Sequence, residues 1–280
     1  MNALEIKGLT KDYGSFRLQG LDLTLPSGCI LGLIGENGAG KSTTIKLILD
    51  MIHRDGGTIT LLGRDNREQL QLTKQDLGVV LDDVGIPGCL TARQVGNVMA
   101  HTFDRWDPAL YREYLQRFSL PEEKPFRTFS RGMQMKLGIA VALSHHPKLL
   151  ILDEATAGLD PVVREEVLDI FNEFTRDESH AVLISSHIVT DLEKICDYIA
   201  ILHHGKLLCC EEKDALLERF GLVQCSQEQL AQLPAGAVQG RRSSPYGVRI
   251  LVLRQLVPPE FHISPVNLEE LFVFLVKERV

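Results

Sequence analysis

The chain has 280 residues, 44% of them apolar and 24% charged, which is enough apolar material for one large domain, alone or with a smaller appendage. Its formal net charge of −7 excludes broad binding to nucleic acid or anionic lipid, because nothing offsets phosphate repulsion globally. No run of 18 apolar residues occurs, and the opening Met1-Asn-Ala-Leu-Glu5 has no basic stretch before an apolar one, so neither a spanning helix nor a secretion signal is expected.

Short strands broken by turns are predicted over 3–34, where Leu4 to Ile6 and Leu18 to Leu25 alternate and Tyr13-Gly-Ser15 and Pro26-Ser-Gly28 turn the chain. The apolar run Cys29 to Ile34 then leads into Gly35-Glu-Asn-Gly-Ala-Gly-Lys-Ser-Thr43, followed by a helix from Thr44. This is the phosphate-cradling P-loop pattern in the strand–loop–helix setting its mechanism requires. Glycines at 35, 38 and 40 let backbone N–H groups close around phosphate oxygens. Lys41 adds positive charge at the β- and γ-phosphates, Ser42 offers a hydroxyl to magnesium, and the helix points its positive end at the anion. The chain is expected to bind a nucleoside triphosphate.

Downstream, Asp55-Gly-Gly57 turns into a strand over Thr58 to Leu62, and Leu77 to Leu81 reads as a buried strand. Residues 91–146 become helical: Thr91 caps Ala92 to Phe103, Asp107-Pro108 opens a helix carrying Leu110, Tyr111, Tyr114, Leu115 and Phe118 on one face, and Ser130 caps a third. The continuous apolar runs Leu149 to Leu152 and Ala181 to Ile184 suit a parallel sheet covered on both faces, with crossover helices over Val162 to Thr175 and Val189 to Cys196. Tyr198 to Leu202 and Lys206 to Cys210 suggest a hairpin. Over 221–280 weak strands at Leu222 to Cys225 and Val248 to Leu253 flank a polar turn at Arg241 to Pro245. A terminal helix places Leu268, Leu271, Phe272, Leu275 and Val276 on one stripe, with Asn267 and Glu270 in capping-box spacing.

Two further segments carry chemistry. The strand Leu149 to Leu152 ends in Asp153-Glu154, which is how a P-loop enzyme holds magnesium, with Glu154 suited to polarise a water for attack on the γ-phosphate. Phe129-Ser-Arg-Gly-Met133 opens a helix and would aim a hydroxyl and N–H groups at an anion. The cysteines at 29, 89, 196, 209, 210 and 225 lack paired zinc spacings, so reduced and mostly buried thiols in a cytosolic chain are expected. Adjacent histidines at 145–146 and 203–204 have no accompanying ligands that would make them metal sites.

In this order the elements resemble the nucleotide-binding domain of ABC transporters over residues 1 to about 220. The resemblance implies that Tyr13 stacks on adenine and that Gly35, Asn37, Gly38, Ala39, Gly40, Lys41, Ser42 and Thr43 form the Walker A motif around ATP. It implies that Ser42 and Asp153 hold Mg2+, with Asp82 a further candidate ligand, and that Glu154, His187 and Lys41 are catalytic. Ala157 to Asp160 resembles the D-loop. Ser130 and Gly132, in the signature motif, would contact the nucleotide of a partner cassette. The fold implied is α/β: a P-loop NTPase (RecA-like) core with an antiparallel β subdomain, a helical subdomain inserted at about 84–146, and a small α+β C-terminal extension over 221–280. Leu268 to Phe272 is similar to the extension of the drug- and bacitracin-exporter branch.

The function this implies is that of an ATP-hydrolysing subunit, cytoplasmic and peripheral on the inner face of the cell membrane. It would drive a separate integral-membrane permease, in the exporting direction, by ATP-dependent closure of a homodimer or a heterodimer with another cassette. A soluble ABC-type ATPase acting on the translation machinery is the alternative, although such proteins usually carry two cassettes in one chain. Two departures from the family pattern stand out. Arg131 and Met133 occupy the third and fifth signature positions, where Arg131 either attracts the trans phosphate or is simply solvated. Asp82-Asp83 replaces the usual glutamine after Leu77 to Leu81; these aspartates are magnesium ligands or a solvated loop.

Overall fold

The computed structural model describes residues 1–234, 236–244 and 247–277. The first layer is an antiparallel sheet of β1 (Asn2–Asp12), β2 (Arg17–Pro26), β4 (Gly56–Leu61) and β5 (Arg64–Asp65), in the order β2-β1-β4-β5. Alternation along these strands sends Leu4, Ile6, Leu21, Leu23, Leu25, Ile59 and Leu61 into one buried face.

That face lies on a six-stranded sheet of β3 (Ile30–Ile34), β6 (Leu77–Val80), β7 (Leu149–Asp153), β8 (Ala181–Ser186), β9 (Tyr198–His203) and β10 (Lys206–Glu212), ordered β10-β9-β3-β8-β7-β6. All its pairings are parallel except the β9–β10 hairpin, whose turn residues His204 and Gly205 both have positive φ. Both faces of the sheet are buried, which is why its strands are continuous apolar runs. Leu31, Leu33, Leu149, Ile151, Ala181 and Leu183 pack toward the antiparallel sheet and α1 (Lys41–Ile48). Ile30, Ile34, Leu150, Leu152, Val182 and Ile184 pack the opposite way, into a core closed by α6 (Pro161–Phe174) and α7 (Val189–Ile195).

The short α2 (Leu70–Thr73) precedes β6, and α3 (Ala92–Ala100), α4 (Pro108–Arg117) and α5 (Arg131–Leu143) follow it. Each of the last three starts where its cap residue stands. Thr91 and Gln94 form a capping box, Asp107 accepts from the amides of Ala109 and Leu110, and Ser130 Oγ accepts from the Met133 amide. The apolar face of α4 buries Tyr111, Leu115 and, at its C-terminal cap, Phe118.

The remaining chain forms α8 (Lys213–Arg219), β11 (Phe220–Cys225), α9 (Gln227–Leu230), β12 (Val238–Ser244), β13 (Gly247–Leu253) and α10 (Leu268–Lys277). Its sheet runs β11-β13-β12. The polar turn expected at Arg241 to Pro245 is corrected: Arg241, Arg242 and Ser243 are paired with Ile250, Arg249 and Val248 in an edge strand, and Pro245 lies outside the described residues. The exposed side chains of Arg241 to Ser243 gave that strand the composition of a turn. At α10, Asn267 Oδ1 accepts the Glu270 amide at 2.8 Å, but the Glu270 carboxylate serves Arg249 instead of closing a capping box. Phe220, Leu222 and Leu251 of this sheet, with Leu268, Leu271 and Phe274 of α10, belong to the same buried cluster as Leu192 and Ile195 of α7. Cys196 and Cys225 are buried and Cys89 is exposed; burial pushes the Cys209 thiol up to about 12.

Candidate functional site

The loop after β3 opens at the C-terminal edge of the central sheet, where β3 lies between β8 and β9, strands reached only by crossovers. A cleft of about 510 Å³ forms there. Asn37, Gly38, Gly40, Lys41, Ser42 and Thr43 line one side, and Glu154, Ala157 and His187 another. Backbone geometry explains the glycines. Gly38 and Gly40 have φ of +82° and +114°, and a Cβ on Gly40 would come within 2.8 Å of the Phe16 ring. Gly40 thereby ends the loop in a left-handed conformation and α1 begins at Lys41, so the first-turn amides, which have no intrahelical acceptors, face the cleft end of the helix.

Lys41 is 6% exposed, donates to the Gly35 carbonyl at 2.8 Å and lies 3.6 Å from Glu154 Oε1. The Glu154 backbone sits in the left-handed region at φ +55°, a conformation costing a non-glycine residue on the order of 1 kcal/mol. Its amide is held by the carbonyl and hydroxyl of Ser185, at 3.1 and 3.3 Å. On the other side, His187 Nδ1 donates to Glu154 Oε2 at 2.6 Å and the His187 amide reaches the same oxygen at 3.3 Å. A carboxylate is thus fixed between an ammonium and an imidazole beside the loop. Such a group accepts a proton from a water in a defined direction.

Asp153 ends β7 beneath this group, 5% exposed, and accepts from Ser185 Oγ at 2.5 Å. Among the described residues it has no cationic partner, an unusual state for a buried carboxylate that a metal ion would resolve. No cluster of three or more His, Cys, Asp or Glu side chains among the described residues holds a metal unaided. The donor set, one carboxylate with the Ser42 hydroxyl, fits magnesium, which typically takes one or two carboxylates and completes its shell with phosphates and water.

Other expected residues are placed differently. Tyr13 is half exposed, sits under Lys11 Nζ at 5.4 Å and does not line the cleft; Phe16, three residues on, does. Ser130 caps α5, and neither it nor Gly132 lines the cleft of its own chain. The structure gives Asp82 a partner other than a metal: its carboxylate accepts from the guanidinium of Arg131, and both residues line the cleft. Sequence reasoning missed Phe16 and Glu36 as cleft residues; an aromatic within five residues of the first turn was the available signal for Phe16. Gly35 and Ala39 support the loop from below, Gly35 against the Leu202 carbonyl and Ala39 buried.

A second, apolar cavity of about 440 Å³ lies between the central sheet and the inserted helices. Leu77, Val79, Val84, Ile86, Met99 and Phe103 line it. His145 forms part of its wall, stacked on Phe103 at 3.8 Å, and burial holds its imidazole below its usual pKa.

The parallel sheet with a P-loop at its carboxyl edge, an acidic strand end beside it and a histidine just past the end of β8 define a P-loop nucleotide triphosphatase. The sequence profile of the ABC transporter family matches residues 18–157, and the chain belongs to that family. It is an ATP-binding, ATP-hydrolysing subunit. The bacitracin transport ATP-binding protein BcrA of Enterococcus faecalis is 33% identical over 73% of this chain and 68% of its own. The ABC transporter ATP-binding protein YtrB of Bacillus subtilis is 28% identical over 96% and 97%. A solved ATP-binding subunit of an ABC transporter superposes with a TM-score of 0.70 at 28% identity, covering 76% of this chain and 91% of that one. The family and the relatives matched are those of transporters and give the translation-machinery alternative no support.

Proposed function

We propose that the cleft holds ATP with its phosphates on residues 35–43, and that Glu154 is the base of its hydrolysis. The observation carrying this reading is the constellation of Lys41, Glu154 and His187 around one cleft at the ends of three strands. Lys41 exchanges the Gly35 carbonyl for phosphate oxygens. Ser42 and Asp153 hold Mg2+, which when bound neutralises charge on the phosphates. A water oxygen bonds to the γ-phosphorus as the bond to the β–γ bridging oxygen breaks. The water proton passes to Glu154 Oε, and ADP leaves with the bond's electrons. His187, donating through Nδ1, keeps the carboxylate aimed.

Ser130 and Gly132 have no phosphate in their own cleft to serve, which favours a second cassette, the same chain or a sibling, closing over this one. The chain works on the inner face of a membrane with a separate permease: among the described residues no helix is long and apolar enough to cross a membrane, and the 440 Å³ apolar cavity is suited to an apolar segment of that subunit. Export, of a peptide antibiotic or drug, follows the resemblance to the bacitracin transport protein. Residues 1–220 form the ATPase unit in this reading and 221–280 an extension. The test is magnesium-dependent phosphate release from ATP by the purified chain, alone and with its permease, against Lys41→Ala. Absence of release in both settings, or release unaffected by Lys41→Ala, refutes it.

A further inference from the structure

The two places where the sequence leaves the family pattern meet each other. Arg131, at the first position of α5, and Asp82, just past the end of β6, are 49 residues apart, and the guanidinium Nη2 of one donates to the carboxylate Oδ1 of the other. Both border the same cleft as Lys41, Ser42 and Thr43. We propose that Arg131 binds the terminal phosphate of the nucleotide held by its own chain, and that Asp82 is the counterion it leaves when that phosphate arrives. The proposal rests on the cleft being the ATP site.

Position argues first. Ser130 and Gly132 flank Arg131 yet do not line the cleft, so of these three residues the arginine is the one that borders the cleft of its own chain. Its stem passes close to Gly158, where an added Cβ would come 3.5 Å from Arg131 Cδ, an ordinary van der Waals distance. From there the guanidinium borders the cleft and pairs with Asp82.

Charge argues next. The cleft wall carries the acidic side chains Glu36, Asp82 and Glu154 and the basic side chains Lys41 and Arg131. Lys41 is already engaged by Glu154 and the Gly35 carbonyl. A triphosphate adds several negative charges and needs a further cation beyond it. The Arg131–Asp82 pair is a weak competitor, since the side chains are 60% and 56% exposed and water screens them. A guanidinium gains more from a phosphate, whose oxygens accept two parallel N–H bonds. Nucleotide entry therefore changes the partner of the first residue of α5, and the helical block registers that the terminal phosphate is present.

The test is calorimetric titration of the purified full chain with ATP and with ADP in EDTA, at concentrations where sedimentation shows a monomer. Neither hydrolysis nor a partner cassette then contributes. Arg131→Ala is expected to lower ATP affinity about tenfold while changing ADP affinity little, so that the ratio of the two falls; a distorted loop would weaken both alike. Arg131→Lys is expected to recover part of the ratio, and Asp82→Ala to raise ATP affinity severalfold. An unchanged ATP-to-ADP ratio in Arg131→Ala overturns the proposal, as does an Asp82→Ala loss of affinity that appears only when magnesium is restored. Lys41→Ala is expected to weaken both nucleotides. If it does so while Arg131→Ala alters nothing, the present proposal falls and the ATP site stands; if Lys41→Ala alters neither, both fall.

Discussion

Replacing Glu154 by glutamine isolates the proton-accepting role from the shape of the site. The substitution conserves size, and the side chain, 14% exposed, stays enclosed. The amide oxygen still accepts from His187 Nδ1, now 2.6 Å from Oε2, while the amide nitrogen replaces the carboxylate oxygen that lies 3.6 Å from Lys41 Nζ. Lys41 keeps the Gly35 carbonyl at 2.8 Å, so the loop does not lose its internal tether. What disappears is a base and one negative charge beside the phosphates. General-base catalysis contributes roughly 100- to 10,000-fold, so turnover at saturating ATP is expected to fall by about that factor, equivalent to about 3 to 5 kcal/mol of barrier. Affinity for ATP is expected to hold or rise, and an ATP-bound dimer to persist in gel filtration. Phosphate release and calorimetry on the same preparations measure both. Turnover within about threefold of wild type would remove Glu154 from the base role.

Two further outcomes are expected. Phe16 rather than Tyr13 borders the cleft, so Phe16→Ala is expected to weaken ATP binding about tenfold, the scale of one lost base stack, and Tyr13→Ala less; the reverse order would return the adenine to Tyr13. His145 is held neutral by burial, partly offset by bonds to the Leu77 and Val141 carbonyls. Its folded pKa lies below the ordinary 6.5, so its contribution to stability is full above pH 6.5 and is lost as pH falls from there through the folded pKa. Thermal midpoints measured from pH 8 to about 5 should therefore decline less in His145→Gln than in wild type, and parallel curves would refute the assignment.

The central sheet and the P-loop were legible in the sequence because their causes are local. Strands buried on both faces must be apolar throughout, and a loop that turns at Gly38 and Gly40 must spell those glycines. Asp153 and Glu154 could be singled out for the same reason, standing at the end of such a strand, whereas His187 came only from the family resemblance. Contacts between distant segments were not legible. Asp82 followed a strand and Arg131 opened a helix, and nothing in either neighbourhood announced the other. Tyr13 and Phe16 share one turn, and only the path of the chain decides which ring reaches Gly40. The strand at Arg241 to Ser243 was hidden because an edge strand with exposed side chains has the polarity of a loop.

The final sixty residues appear in the sequence as an addition, yet Leu222, Leu251 and the inner face of α10 are sealed into the same core as α7, which begins two residues after His187. Lys277, the last residue of α10, also lies 3.6 Å from Glu36 of the phosphate loop. Cutting the chain at 220 would uncover Leu192 and Ile195 to water rather than detach a free-standing module. The tail is a buttress for the wall that carries the histidine, and its surface, not its presence, is the part open to redesign.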